Sequence, residues 1–275
     1  MTALLARRRS KFATAAVLLV ALLAMGGAYS IASSASRAQA APRADTSTQV
    51  EQGKKLFLEG CSTCHGAGGE GNFQPDGTVA GPSLIGVGAA AVDFQVSTGR
   101  MPLANPGAQA PQKTPVYTPD EVAALAAYIV SLSPADPGPA IPTSDMYDYS
   151  NLTPEELALG GQLYRANCSS CHNFAGEGGA LSAGKYAPSL MGAEPRIIYE
   201  AMLTGPQSMP VFPDTTMRVQ DKQAIIGYIK SLETQPNPGG IDLGRLGPVT
   251  EGLLLWTLGL GLMIAVAVWI GVKAK

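Results

Sequence analysis

Two five-residue motifs constrain this chain more than any other feature. The first reads Cys61-Ser62-Thr63-Cys64-His65, and 107 residues later the second reads Cys168-Ser169-Ser170-Cys171-His172. Cys-x-x-Cys-His is the attachment signature of a c-type haem. The two thiols form thioethers with the porphyrin, and the histidine supplies an imidazole to the iron. We therefore predict two covalently bound c-type haems, one held by each motif.

The complete inventory of cysteine and histidine supports this interpretation. All four cysteines and both histidines of the chain lie inside the two motifs. A thioredoxin-like dithiol site does not require a histidine after each second cysteine. A zinc site built from four cysteines leaves the two histidines unexplained. Structural disulfides stay chemically open, because the motifs face an oxidising compartment if the chain is exported.

The chain is also an internal duplication. Gly53 and Phe57 precede the first motif as Gly160 and Tyr164 precede the second. Each motif is followed by Pro-Ser-Leu, by Met-Pro and by a segment typical of a closing helix with a tyrosine, and the first copy has an extra Pro/Gly-rich insertion around residues 105–115. We predict copies over residues 45–133 and 150–235, joined by a proline-rich linker over residues 134–149. The predicted closing helices cover Pro119–Leu132 and Asp221–Leu232.

Each iron needs a second axial ligand, and both histidines are already assigned. Methionine is the usual remaining choice. Met101 is the only methionine between Cys61 and the linker, 36 residues after His65. In the second copy the repeat aligns Met209 with Met101, 37 residues after His172, among four candidates: Met191, Met202, Met209 and Met217. We predict Met101 and Met209 as ligands and interpret Met202 and Met217 as packing residues.

Both ends of the chain are apolar. Residues 12–36 carry no charge and follow Arg7, Arg8, Arg9 and Lys11. Residues 1–40 are therefore either a cleaved signal segment or a retained membrane helix, and both alternatives predict that the following residues are exported. Residues 249–272 are predicted to form a transmembrane helix with a cytoplasmic C-terminus, since Lys273 and Lys275 follow it. A buried soluble helix is the alternative.

Both copies carry an excess of acidic residues. Residues 45–142 contain nine acids and four bases, and residues 143–244 contain eleven acids and six bases. This charge excludes nucleic acid as the expected partner and favours a basic docking protein, although solubility alone explains it equally well.

Taken together, these residues resemble the class I cytochrome c family. Each copy has that family's order: a helix with glycine and an aromatic residue, Cys-x-x-Cys-His, a proline loop, a Met-Pro loop and a helix with tyrosine. The resemblance implies a mainly α fold of two tandem class I cytochrome c domains plus the terminal helices. It also implies that the Pro82 and Pro188 carbonyls accept hydrogen bonds from Nδ1–H of His65 and His172. By the same resemblance, Phe57 packs on Tyr128 and Tyr164 packs on Tyr228.

The complete layout is similar to that of the dihaem cytochrome c subunits of actinobacterial cytochrome bc complexes, the menaquinol–cytochrome c reductases. That resemblance implies a plasma-membrane protein whose haem domains are extracytoplasmic. It implies the Rieske iron–sulfur protein, cytochrome b and a terminal oxidase as partners, with electrons passing from the Rieske centre through both haems. The acidic surface differs from that of lysine-ringed mobile carriers, which favours a fixed complex over a diffusing shuttle.

Two other classes of protein remain as alternatives. One is the cytochrome subunit of a periplasmic dehydrogenase or of a cbb-type oxidase, which the predicted C-terminal anchor disfavours. The other is a dihaem peroxidase, in which one iron keeps an open position for peroxide. Such enzymes commonly use an additional histidine, and this chain has two histidines in total, both inside the motifs.

Overall fold

A computed structural model describes residues 17–25, 46–75, 77–105, 107–234, 243 and 248–274. It divides into two compact units, Met1–Thr48 and Gln49–Lys275. Within the first unit, residues 17–25 are helical and their side chains are exposed. The predicted N-terminal membrane helix or signal segment otherwise lies outside the described residues.

The first copy is a small helical module with one short hairpin. Helix α1 leads into the one-turn helix α2, strands β1 and β2 pair antiparallel, and α3 and α4 complete the module. A capping box at Thr118 and Glu121 starts α4, with Pro119 at its first turn. The bounds are Thr46–Gly60 for α1, Ser62–His65 for α2, Asn72–Phe73 for β1, Val79–Gly81 for β2, Ala89–Ser97 for α3 and Pro119–Ser131 for α4.

The second copy repeats this order of elements. A matching capping box at Thr153 and Glu156 starts its first long helix, α5. After a 3₁₀ turn at Ser144–Met146, the elements are α5 at Pro154–Asn167, α6 at Ser169–His172, β3 at Gly179–Ala180, β4 at Tyr186–Ala187, α7 at Pro195–Thr204 and α8 at Val219–Thr234. A further 3₁₀ turn at Ser182–Gly184 separates β3 from β4. The predicted mainly α architecture is confirmed, and α8 is longer at both ends than predicted.

The first and last helices of each module pack through glycine and aromatic residues, as predicted. Phe57 lies 5.3 Å from Tyr128 between ring centroids, and Tyr164 lies 5.4 Å from Tyr228. A Cβ atom at Gly53 would overlap the Ala124 carbonyl oxygen. Its counterpart Gly160 meets the Ala224 carbonyl in the same way, and its neighbour Gly161, rather than Gly160 itself, faces the Tyr228 ring.

The two modules contact each other through α3 and α7. Arg196 on α7 forms an ion pair with Asp93 on α3 and donates a 3.2 Å hydrogen bond to Glu200. One arginine is therefore shared between two carboxylates at this contact. The Glu200 carboxylate is fully buried. Burial raises the pKa of Glu200 to about 7, nearby Arg196 opposes this rise, and Glu194 adds to it.

The insertion of the first copy forms a second contact between the modules. The side-chain amide of Gln109 accepts from the Tyr186 backbone N–H at 2.8 Å and donates to the Tyr186 carbonyl at 2.7 Å. Reciprocally, the Gln207 amide accepts from the Ala110 N–H and donates to the Ala110 carbonyl, both at 3.1 Å. Each glutamine thus pairs with both backbone groups of one residue in the other module.

Near the C-terminus, the helical span Thr250–Lys273 is long and apolar enough to cross a bilayer, and it is the one such helix among the described residues. It consists of α9 at Pro248–Leu254, a π-helical stretch at Leu255–Gly259 and α10 at Leu260–Lys273. Trp256 and Trp269 are 70 % and 60 % exposed, so no protein core covers this segment. This apolar, uncovered helix supports the predicted membrane anchoring.

Filling the glycine contacts is expected to destabilise the modules. Gly53→Ala and Gly160→Ala should each cost about 1–3 kcal/mol, because the new methyl group must push two helices apart. Thermal unfolding of the detergent-solubilised chain measures this. Gly107→Ala is the control, since its nearest neighbour would be 3.8 Å away; equal midpoints for all three variants would contradict the packing described.

The buried Glu200 predicts a pH dependence of stability. Its folded pKa of about 7 lies above the ordinary value of 4.5, so folding takes up a proton between these values and stability falls as pH rises through that window. Glu200→Gln should remove this fall in the thermal midpoint. Exposed Glu155→Gln is the control, and an unchanged pH profile in Glu200→Gln would contradict the assignment.

Candidate functional site

Each haem motif folds as a single helical turn that continues a longer helix. The Cys61 N–H donates to the Phe57 carbonyl at 2.8 Å, and the His65 N–H donates to the Cys61 carbonyl at 3.0 Å. The second copy repeats these bonds from Cys168 and His172 at 2.8 and 2.9 Å. Since residues four apart share a helix face, this turn presents the first cysteine and the histidine of each motif on the same side.

Directly after each histidine the chain turns sharply. Gly66 has φ 79° and ψ 156°, and Asn173 has φ 70° and ψ 159°. This region of backbone conformation is essentially restricted to glycine, so Asn173 is strained at a position where the first copy has a glycine. The following loop returns to the motif, with N–H groups of Gly71 and Gly178 donating to the carbonyls of His65 and His172. In the second module the Tyr164 hydroxyl also donates to the Asn173 carbonyl at 2.6 Å.

Each histidine ring is oriented by a proline carbonyl. His65 Nδ1 lies 2.8 Å from the Pro82 carbonyl oxygen, and His172 Nδ1 lies 2.9 Å from that of Pro188. A carbonyl oxygen only accepts, so Nδ1 must carry the proton and the Nε2 lone pair is free to bind a metal. Burial also lowers the pKa of His172, which favours the neutral imidazole. The predicted histidine–proline contacts are confirmed.

The cysteines do not have the environment of redox-active thiols. All four are free in the structure and partly buried. Burial, together with the neighbouring cysteine of the motif, raises the pKa of Cys61 and of Cys168 to about 11. Dithiol oxidoreductases need a lowered thiol pKa, so this alternative is disfavoured.

In the second module, the histidine and two of the methionines line one crevice. Its lining includes Cys168, Cys171, His172, Met202 and Met209, among mainly apolar side chains. Met202 is a core residue of α7 and 2 % exposed, whereas Met209 lies in the loop after it and is half-buried. Met217 belongs to the core cluster, and neither it nor Met191 lines this crevice.

In the first module, Cys61 and Met101 pack against the same apolar core, which Phe57, Val92, Val96 and residues of α4 form. His65 is 9 % exposed. In the second module, Cys168 and Met209 pack against the corresponding core, and both line the same crevice as His172.

A charged pair, exposed Asp214 and buried Lys222, anchors the loop that carries Met209. Asp214 accepts from the Lys222 ammonium at 2.5 Å and from the Tyr199 hydroxyl at 2.8 Å. Burial opposes ionisation of this carboxyl, but these two hydrogen bonds outweigh it and its pKa is lowered. Lys222 is fully buried. The sequence did not predict this anchor, because an aspartate and a lysine eight residues apart near the start of a helix give no sign that the lysine is buried.

The residues present fit a haem and do not fit a protein-only metal site. No group of three metal-ligating side chains occurs in the part of the chain that the structure describes. A histidine with a free Nε2, two free cysteines in the same motif and an apolar crevice match what an iron porphyrin requires from a protein. In each module the haem would be held by the two cysteines and the histidine.

Comparison with protein families identifies two cytochrome c domains. Residues 50–133 match the family model described as Cytochrome c. Residues 155–229 match the model described as Cytochrome C oxidase, cbb3-type, subunit III. Cytochrome c domains carry covalently bound c-type haem.

Curated relatives align over most of the chain. The cytochrome bc1 complex cytochrome c subunit of Corynebacterium diphtheriae is 44 % identical over 84 % of this chain and 83 % of its own length. Those of Mycobacterium leprae and Mycobacterium bovis are 43 % and 42 % identical over 94 % and 98 % of this chain, and 87 % and 93 % of their own lengths. The chain belongs to this family of cytochrome bc1 complex cytochrome c subunits. It is thus an electron-transfer component of a bc complex.

Proteins from the alternative classes match only parts of the chain. The cbb3-type cytochrome c oxidase subunit FixP of Bradyrhizobium diazoefficiens is 29 % identical over 46 % of this chain. A thiosulfate dehydrogenase of Psychrobacter arcticus matches 14 % of it.

Replacing the predicted methionine ligands should affect one haem at a time. Met101→Ala should lower the reduction potential of one haem and Met209→Ala that of the other, because a thioether ligand raises the potential. Redox titration and the near-infrared methionine–iron absorption band measure both effects. Met202→Leu and Met217→Leu are the controls. Loss of the band in Met202→Leu, with the band intact in Met209→Ala, would identify Met202 as the ligand instead.

Proposed function

We propose that this chain is the dihaem electron-relay subunit of a menaquinol-oxidising cytochrome bc complex. It takes electrons from the Rieske iron–sulfur protein, which sits with cytochrome b in the same complex, and delivers them to a terminal oxidase. As part of a quinol–cytochrome c reductase it belongs to a translocase, while its own residues serve electron transfer alone. A c-type haem supplies the one-electron chemistry.

The repetition of the histidine site carries this proposal. Both modules hold a histidine whose Nδ1–H donates a hydrogen bond to a proline carbonyl, at 2.8 and 2.9 Å, and each has a methionine at the matching position. Two haems with His65/Met101 and His172/Met209 ligation leave no open coordination position. A relay needs such closed sites, whereas a peroxidase needs an open one.

The charge and the C-terminal helix support the assignment to a fixed membrane complex. With Thr250–Lys273 in the plasma membrane and Lys273 at its cytoplasmic end, both modules lie on the extracytoplasmic side. The acidic excess of both copies favours basic docking surfaces on the partners over diffusion along the anionic membrane.

Purification of the tagged full chain from detergent-solubilised membranes tests this function. We expect cytochrome b, the Rieske protein and oxidase subunits to co-purify, and two c-type haems per chain by pyridine haemochrome. Menaquinol should reduce both haems only when the Rieske cluster is present. Rapid carbon monoxide binding to one haem, or reduction by quinol without the Rieske cluster, would overturn the proposal.

A further inference from the structure

The haem crevice of the second module is partly walled by the first module. Phe94, Arg100 and Ala110 line the same cavity as Cys171 and His172. The paired glutamine amides of Gln109 and Gln207 hold the insertion against this rim. The second haem site is therefore completed by residues of the other copy.

Arg100 is the charged residue among these three, and one of its nitrogen atoms lacks a hydrogen bond. It is 8 % exposed, and its guanidinium carbon lies 4.6 Å above the Phe94 ring centroid. Its Nη1 is buried without a hydrogen-bond partner among the described residues. A buried cation without a partner is costly, and native proteins rarely leave one.

The charge of the crevice shows which kind of partner is missing. Its described lining includes two cationic side chains, Arg100 and Lys185, and no aspartate or glutamate. Lys185 Nζ already donates to the Ser208 hydroxyl at 2.9 Å. The crevice is otherwise mainly apolar, so its occupant should be a flat apolar group that carries an anion. A haem, with its propionate carboxylates, has this chemistry.

We propose that Arg100 of the first module is the counter-ion of a propionate of the haem in the second module. This inference rests on the proposed function, because it requires that a haem occupies the second crevice. A guanidinium suits the task, since its planar fork matches a carboxylate and stays charged at neutral pH. Arg100 is thus a positioning and potential-setting residue and not an iron ligand.

The position of Arg100 in the chain gives this contact a consequence. It directly precedes Met101, the predicted ligand of the first iron. One dipeptide therefore serves both centres, with its methionine in its own module and its arginine in the other. The reduction potential of the second haem depends on a loop of the first module, so the two modules cannot be tuned independently.

Redox titration of Arg100→Gln in the purified complex, at several pH values, tests the inference. Loss of the cation should lower the equilibrium constant for reduction of the second haem by about tenfold, because a nearby positive charge favours the reduced haem, which carries one more electron. It should also make that potential fall with rising pH near neutrality, because the propionate pKa is no longer held low. The haem that responds is identified by combination with Met101→Ala or Met209→Ala.

Two control variants separate this role from a structural one. Arg100→Lys keeps the charge and should restore most of the potential and its flat pH profile. Arg218→Gln removes an exposed charge that is paired with Asp221 on the same module, and it should change neither. An unchanged second-haem potential and pH profile in Arg100→Gln, or an effect confined to the first haem, would overturn the inference. Fewer than two haems in the wild-type chain would instead overturn the proposed function.

Discussion

The hydrogen bond from each motif histidine to a proline carbonyl is the interaction on which the rest of both modules depends. It fixes which ring nitrogen is free, and so leaves Nε2 of His65 and His172 available to bind a metal. The geometry is maintained by the turn at Gly66 and Asn173 and by the loop that returns to each motif. In the second module Tyr164, which also packs on Tyr228, supports that turn through its hydrogen bond to the Asn173 carbonyl.

Much of this arrangement could be predicted from the sequence, because it is encoded locally and repeated. The motif spacing, the capping residues, the pairs Gly53/Phe57 and Gly160/Tyr164 and the proline loops each follow from short-range patterns. The duplication allowed each assignment in one copy to be checked against the other. The helix ends were predicted less accurately. The π-helical stretch at Leu255–Gly259 has no sequence signal that would have indicated it.

The contact between the modules could not be predicted, because it depends on residues far apart in the chain. Gln109 and Tyr186 are 77 positions apart, and Ala110 and Gln207 are 97 apart. In the sequence the insertion reads as an ordinary Pro/Gly-rich loop, and Arg100 as part of the first module's methionine loop. Only the fold shows that both lie at the rim of the second crevice. The burial of Glu200 beside Arg196 could not be predicted from the sequence for the same reason.

We propose that both irons are closed, low-spin electron-transfer centres with histidine and methionine ligands. Low-temperature electron paramagnetic resonance combined with near-infrared magnetic circular dichroism on the oxidised protein measures the spin state and the ligands together. We expect two low-spin haems per chain, both with the methionine-to-iron charge-transfer band. A high-spin signal, or a methionine band from only one of the two haems, would contradict it.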